Sequence, residues 1–226
     1  MNTRETNLSE MQTIGKKQNA QLAPLNKVLK GAFTVLSSVR LIPLIALMLL
    51  SSNRSTVYAD LDRWGQEYRF GRPRSLRQRI LLFAHLMTWL REYRNVFYLR
   101  VGLPGKLLSI LCPPLSSLYL GNTSIGPGLF IMHGDSTFVS ADKIGENCWI
   151  NQHVVIGYSN ETDRPSIGNN VTIYAGAKVL GRVKIADNAK IGANSVVIQD
   201  VPANATVMGV PAKIIWIEKP SPGHSK

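Results

Sequence analysis

The sequence predicts a parallel β-helix preceded by an α-helical region, and two features carry this prediction. An aliphatic residue recurs every six residues from Ile125 to Ile215, almost without gaps. The residue after it is often glycine, and the residue four positions after it is small or β-branched. Six residues suit one short strand and a tight turn, and three such units close a triangular coil of about 18 residues. We therefore expect roughly four to five stacked coils.

The repeat can be followed along the chain. The aliphatic positions are Ile125, Ile131, Ile144, Ile150, Ile156, Ile167, Ile173, Val179, Ile185, Ile191 and Val197. The positions four residues later are Cys148, Val154, Val171, Ala177, Val183, Ala189, Ser195 and Val201. An ordinary sheet domain with valine- and isoleucine-rich strands is the weaker interpretation, because alternation alone does not hold a six-residue phase for so long.

This pattern divides the chain into four predicted segments. Residues 1–20 are polar and aperiodic, which predicts a disordered tail. Residues 21–118 form the α-helical region, residues 119–216 the β-helix, and residues 217–226 a second tail.

The helical region contains three predicted helices. The first spans residues 56–69, and the second begins after the cap Ser75 and runs to about Arg94 with one broad apolar side. A third, short helix covers Pro104 to Leu111 and ends at two prolines before the β-helix begins.

Residues 25–50 are apolar, and three interpretations of them stay open. The uninterrupted run Leu41–Leu50 is shorter than the roughly 20 residues of a membrane span. The segment could lie on a membrane surface, form an oligomer interface, or be a true span or signal segment.

The net charge of +12 belongs to the N-terminal half. Residues 1–110 carry 17 Lys and Arg against 6 Asp and Glu, whereas residues 111–226 carry 9 against 8. Six arginines fall between Arg63 and Arg79. This basicity indicates attraction to an anionic membrane surface or an acidic polymer, or else a solvated helix face with ordinary ion pairs. No recognition motif accompanies the charge, which argues against nucleic acid as a partner.

Cysteines and histidines give no metal or disulfide pattern. The two cysteines, Cys112 and Cys148, make no disulfide framework, and Cys148 is at an inward position that suits a small core residue. No pair of the four histidines has the spacing of a zinc motif, so we expect no metal.

The repeat also predicts which residues share one column of the coil. One extra residue between Thr137 and Lys143 and five in the loop 157–166 are allowed for. The outward row is then His133, Gln152, Ala175, Ala193 and Pro211. A histidine and an amide stand at one end of this row, and small residues that suit a long, thin ligand follow.

Several motifs carry a resemblance to a known family. IGPGLFIMHG, IGENCWINQHVVIG, IGNNVTIYAGAKVLG, IGANSVV and GVPAKII resemble the hexapeptide-repeat acyltransferases over roughly residues 91–216. The likeness is greatest to serine acetyltransferases and to their relatives in bacterial polysaccharide gene clusters. It implies a left-handed coil, and an active site between two subunits of a trimer or of a dimer of trimers.

The resemblance also implies roles for individual residues. His133 corresponds to the catalytic histidine, and a neutral imidazole can take the proton of an attacking hydroxyl near neutral pH. Acetyl-CoA would lie along the row at Ala175, Gly176 and Ala193, with Lys213 near the CoA phosphates.

Two departures concern the acceptor. Serine acetyltransferases carry an aspartate fifteen residues before the catalytic histidine, where this chain has Leu118. They also carry a histidine in a loop that here reads Asp163-Arg164-Pro165, so that Arg164 replaces it. Asp135 could orient His133 instead or be an inward structural residue.

Acceptor contacts are predicted for five residues in all. These are Asp135, Gln152, His153, Asp163 and Arg164.

The resulting hypothesis is an O-acetyltransferase that moves acetyl from acetyl-CoA to a sugar hydroxyl of a bacterial surface polysaccharide or its precursor. We expect it in the cytoplasm, with peripheral contact to the inner face of the cell membrane. The alternatives are a serine O-acetyltransferase of cysteine biosynthesis and a non-catalytic β-helical scaffold. A γ-type carbonic anhydrase is disfavoured because its three-histidine set is missing from the sequence.

Overall fold

The computed structural model describes residues 38–121, 123–158, 160 and 162–218. The predicted tail at residues 1–20, the apolar residues 25–37 and nearly all of the predicted tail at 217–226 lie outside this part of the chain.

Five α-helices and two 3₁₀ turns form the described part of the helical region. The helices are α1 (Ile42–Leu50), α2 (Arg54–Glu67), α3 (Leu76–Trp89), α4 (Arg91–Val101) and α5 (Leu103–Leu108), and the 3₁₀ turns are Ser38–Leu41 and Ser109–Leu111. Large side chains from α1 to α4 fill the space between the helices, with Trp64, Phe83 and Phe97 fully buried. Trp64 also packs against Phe130 of the coil, with ring centroids 4.7 Å apart.

The single helix expected from Ser75 to Arg94 is wrong, because the chain breaks at Leu90. The Ser75 hydroxyl caps α3 by accepting from the Gln78 N–H at 3.2 Å, as predicted. Leu90 is extended, with φ −115° and ψ 103°, and separates α3 from α4. The Arg94 guanidinium donates to the carbonyls of Met87 and Thr88, each at 2.7 Å. A buried cation thereby satisfies carbonyls that a continued helix would have used.

In the described part of the chain, fifteen short strands form the β-helix and its closing hairpin. The first sheet contains β1 (Leu118–Leu120), β4 (Thr137–Val139), β7 (Val155–Gly157), β10 (Lys178–Leu180) and β13 (Val196–Val197). The second contains β2 (Ser124–Ile125), β5 (Lys143–Ile144), β8 (Ser166–Ile167) and β11 (Lys184–Ile185). The third contains β3 (Phe130–Ile131), β6 (Trp149–Ile150), β9 (Thr172–Ile173), β12 (Lys190–Ile191), β14 (Ala205–Met208) and β15 (Lys213–Ile217).

Each sheet is one face of a triangular prism, and all pairings along the coil are parallel. Among the described strands, only the last pair, β14 with β15, is antiparallel. The aliphatic positions of the repeat pair directly with one another, for example Ile131 with Ile150 and Ile150 with Ile173. These side chains are buried, so the stacked coil that the six-residue period predicts is confirmed.

The coil turns depend on left-handed backbone at fixed positions. Three residues after the aliphatic position of the second sheet, the φ angle is positive at Gly128, Asn147, Asn170, Asn188 and Asn204. Glycine and asparagine tolerate this conformation best, so the sequence marks each corner with a suitable residue.

A buried ion pair joins the helices to the first coil. Arg100 of α4 binds Asp60 of α2, with 2.7 Å between Nε and Oδ2. The guanidinium also donates to the carbonyls of Ile125 and Gly126, and Asp60 Oδ1 accepts from the Gly128 N–H at 2.7 Å. Both side chains are therefore saturated with partners in the interior, and their position fixes the helices on the coil.

Within the described ranges, no single helix has the length and apolar composition of a membrane span. The segments Val39–Leu50 and Arg54–Glu67 reach that length and composition only together, across a bend of 119°.

Candidate functional site

Strand register places the predicted row on one corner of the prism, between the third and the first sheet. Because Ile150, Ile173 and Ile191 pair in sequence, the residues two positions later lie one above another. Gln152, Ala175 and Ala193 follow this register, and Ala175 and Ala193 leave the lower part of the row without large side chains. In the first coil a two-residue insertion places Asp135 above Gln152, because the His153 N–H donates to the Asp135 carbonyl just as the Gly176 N–H donates to the Gln152 carbonyl. His133 is exposed at the start of this insertion, at the upper end of the row.

The lower end of the row differs from the prediction. Ile191 pairs with Val207, so Gly209 completes the row and not Pro211. The last coil is two residues shorter than the repeat implies. The turn of residues 209–212 packs against the first sheet, since the Ala212 N–H donates to the Val196 carbonyl at 2.8 Å. Lys213 follows this turn and is exposed at the foot of the row.

His133 stands on an enlarged turn at the upper end of the row. Its φ is +66°, and Gly134 and Ser136 are also left-handed, with φ +65° and +48°. The extra residues of this coil are thus at 133–136, not between Thr137 and Lys143 as expected. The His133 side chain is exposed on this turn. Positive φ is uncommon for histidine and occurs often where a side chain is held for function.

Gln152 and His153 occupy the same corner one coil below. The His153 N–H donates to the Asp135 carbonyl at 2.8 Å, which fixes the two turns against each other. His153 has φ +57°, at a position where the coils below carry Gly176 and Asn194. Its side chain is exposed beside the row, so the structure brings it together with His133 and Gln152.

Asp135 is not the inward residue that one interpretation foresaw. Its side chain is exposed and accepts from the Ser117 hydroxyl at 3.2 Å. Thr137 takes the inward position instead, because Phe138 pairs with Val155 and the enlarged turn shifts the count by two. No hydrogen bond joins Asp135 to His133 among the described residues.

Glu92 is a carboxylate beside this turn that the sequence analysis missed. It lies in the first turn of α4, and its Cγ would be 3.0 Å from a Cβ on Gly134. Burial raises the pKa of Glu92, and the Asp135 carboxylate raises it further, whereas its own backbone N–H and the charge of His133 lower it. One signal was available: Glu92 is the only carboxylate between Glu67 and Asp135.

Asp163 and Arg164 are not brought together with His133 in one chain. They lie in the loop between β7 and β8, at the corner between the first and the second sheet. Asp163 is engaged locally, by the Asn160 amide at 2.6 Å and by Arg182 at 3.4 Å. Leu118 is buried in β1, and its position offers no carboxylate to His133.

The two cysteines are structural. Both are buried and free, and burial raises the pKa of Cys148 to about 11, so its thiol stays protonated near neutral pH. The described residues contain no group of three side chains suited to hold a metal ion.

The fold and the row define a class of protein. Residues 164–199 match the family described as bacterial transferase hexapeptide (six repeats). The chain thus resembles the hexapeptide-repeat acyltransferases in its repeat, its coil and the motifs along the row.

Within this class, the chain is similar to serine acetyltransferases. It is 38% identical to that of Synechococcus elongatus over 122 residues, which is 52% of this chain and 50% of the relative. It is 47% identical to that of Staphylococcus aureus strain Mu50 over 95 residues, which is 40% of this chain and 45% of the relative. The chain therefore matches about half the length of these curated relatives.

Solved structures give the same likeness. The serine acetyltransferase of Neisseria gonorrhoeae in complex with serine superimposes with a TM-score of 0.60 at 26% identity, covering 76% of this chain and 72% of that one. The soybean enzyme complexed with serine has a TM-score of 0.53 at 28% identity, with 73% and 70% coverage. The left-handed parallel β-helix that the motifs implied is confirmed.

Proposed function

We propose that this protein is an acetyl-CoA-dependent O-acetyltransferase that uses His133 as its general base. The observation that carries the proposal is the row from His133 through Ala175 and Ala193 to Gly209. Four steps between paired strands make this row roughly 19 Å long. Its exposed, small-residue floor suits an extended pantetheine arm, with the thioester at His133 and the CoA phosphates near Lys213.

The reaction needs one base and no resident cofactor. The hydroxyl proton of the acceptor passes to His133 while the acceptor oxygen bonds to the thioester carbonyl carbon. The carbon–sulfur bond of the tetrahedral intermediate then breaks, and the departing sulfur takes the proton from His133. The products are an O-acetyl ester and the free thiol of CoA. Glu92 is a positioning residue in this scheme, because a carboxylate beside the turn stabilises the imidazolium that forms.

The active assembly is a trimer in this proposal. In a single chain the row forms only one side of a binding groove. The loop of Asp163 and Arg164 projects from a different corner of the prism. Packing three prisms side by side would bring the loop of one copy against the row of the next. Asp163 and Arg164 would then contact the acceptor across the interface.

Serine is the acceptor that the similar proteins favour, so the serine alternative has better support than the polysaccharide hypothesis. A sugar hydroxyl remains a second candidate because of two particular residues. Leu118, a buried apolar side chain, replaces the expected aspartate, and Arg164, a permanently charged cation, replaces the expected histidine. A permanent positive charge suits an acidic sugar or a phosphate-linked acceptor.

The test is release of CoA thiol from acetyl-CoA by the whole chain, with serine or with acidic and neutral oligosaccharides as acceptor. The proposal expects turnover with serine and confirmation of O-acetylserine by mass spectrometry. A higher kcat/KM with an acidic oligosaccharide would assign the protein to the second candidate. Absence of turnover with every acceptor, together with no binding of acetyl-CoA, would leave the non-catalytic scaffold.

Replacing Ala175 by tryptophan should block the row and raise the KM for acetyl-CoA at least about tenfold, because a large side chain fills the path of the ligand. Ala203→Trp is the matched control, since Ala203 is exposed two residues after an aliphatic position on a different corner. Equal KM values for the two variants would show that acetyl-CoA does not use this row.

A further inference from the structure

Two neighbouring helices leave a large apolar surface exposed. Helices α1 and α5 pack against each other, and each helix, together with the 3₁₀ turn that adjoins it, exposes large apolar side chains to solvent. Their exposed fractions lie between 60% and 84%. These side chains are Val39, Ile42, Leu50, Leu103, Leu107 and Ile110, which we call the α1–α5 face. Single exposed apolar residues are ordinary, but six on adjacent elements indicate a contact surface.

In the described segments that form the α1–α5 face, the charged residues are all of one sign. Residues 38–53 and 102–117 contain no aspartate or glutamate. Arg40, Arg54 and Lys106 lie in or directly beside these segments and are exposed. Of the four carboxylates in the described helical region, Asp60, Asp62 and Glu67 are paired with arginines other than Arg40 and Arg54, and Glu92 lies against the turn at Gly134.

We propose that the α1–α5 face binds the surface of an anionic phospholipid bilayer. The apolar side chains would enter the boundary between headgroups and acyl chains, and Arg40, Arg54 and Lys106 would contact the lipid phosphates. An apolar helical face with cations beside it and no carboxylates has the composition of an interfacial membrane contact. This inference is independent of the acetyl acceptor and goes beyond the proposed function.

A second copy of this chain is the less suitable occupant. A two-fold contact through the same face would bring two sets of Arg40 and Lys106 into one interface, with no carboxylate in either segment to pair with them. A lipid phosphate supplies the missing negative charge. Long cationic side chains can also reach the phosphates while their stems stay on apolar surface.

The experiment is co-sedimentation of the full chain with vesicles of phosphatidylcholine alone or with phosphatidylglycerol added. We expect binding to the anionic vesicles only, and binding that weakens as salt rises. The double variant Ile42→Asn/Leu107→Asn, and separately Arg40→Gln/Lys106→Gln, should each lower the partition constant at least about tenfold. Leu76→Asn/Leu81→Asn is the matched apolar control, because both leucines are half-exposed on α3, outside this face.

Unchanged vesicle binding by both variants of the face would overturn the proposal and assign any binding to other basic segments. Light scattering of the same variants tests the competing occupant. A smaller assembly together with unchanged vesicle binding would make the face an interface between copies and would also overturn the proposal. Thiol release by each variant reports separately on the proposed acetyltransferase activity, which this inference does not require.

Discussion

Replacing His133 by asparagine is expected to lower kcat by about 10²- to 10⁴-fold, the usual contribution of a positioned general base. Asparagine is the informative replacement because His133 has φ +66°, which asparagine adopts readily and alanine does not. The turn should therefore keep its shape, and binding of acetyl-CoA should persist. Stopped-flow measurement of thiol release and calorimetric titration of acetyl-CoA check the two parts of this expectation.

His153→Asn is the matched control for this experiment. His153 is exposed one coil below with φ +57°, and Asn194 occupies the equivalent corner two coils further down. This variant should fold normally and raise the KM of the acceptor more than it lowers kcat. A similar loss of kcat in both variants would show that His133 is not the general base.

Glu92→Gln separates positioning from folding in the same assay. Because burial raises the pKa of Glu92, its carboxylate forms at a higher pH in the folded chain than in the unfolded chain. The acid limb of the pH–kcat profile should therefore change shape in the glutamine variant, with KM for acetyl-CoA preserved. A variant that loses stability but keeps the wild-type pH profile would show that Glu92 has only a structural role.

Replacing Arg100 by methionine should cost about 3–5 kcal/mol of unfolding free energy, because it leaves the buried Asp60 without its counter-ion. Two coil carbonyls, of Ile125 and Gly126, lose a charged donor at the same time. For a chain of this size the melting temperature should fall by roughly 10 °C or more. Differential scanning calorimetry at fixed protein concentration gives the measurement.

The control for the Arg100 variant is an exposed ion pair on the coil. Lys190 and Glu218 approach to 2.6 Å, but both side chains are about half exposed. Lys190→Met should barely change the melting temperature, since surface pairs contribute little. Equal melting temperatures for the two variants would show that the buried pair does not hold the helices on the coil.

The sequence alone determined the coil and the course of the candidate site along it. A six-residue period fixes the register of each strand on the next, because one displaced residue would turn the aliphatic side chains outward. Gln152, Ala175 and Ala193 could therefore be placed in one row without coordinates, whereas the insertion at His133 and the replacement of Pro211 by Gly209 could not. The N-cap at Ser75 was likewise readable, since its hydroxyl acts within four residues of chain.

Only the tertiary structure decided what depends on contacts between distant segments. At the break of Leu90, Arg94 donates to carbonyls at the end of α3. The exposure of Asp135 follows from an enlarged turn that the six-residue period does not predict. Arg100 and Asp60 are 40 residues apart, and Glu92 and His133 are 41 apart. Helical periodicity predicts which face of α4 is apolar, but it does not predict which coil that face contacts. Docking of the helices on the first coil brings Glu92 to the turn that carries His133.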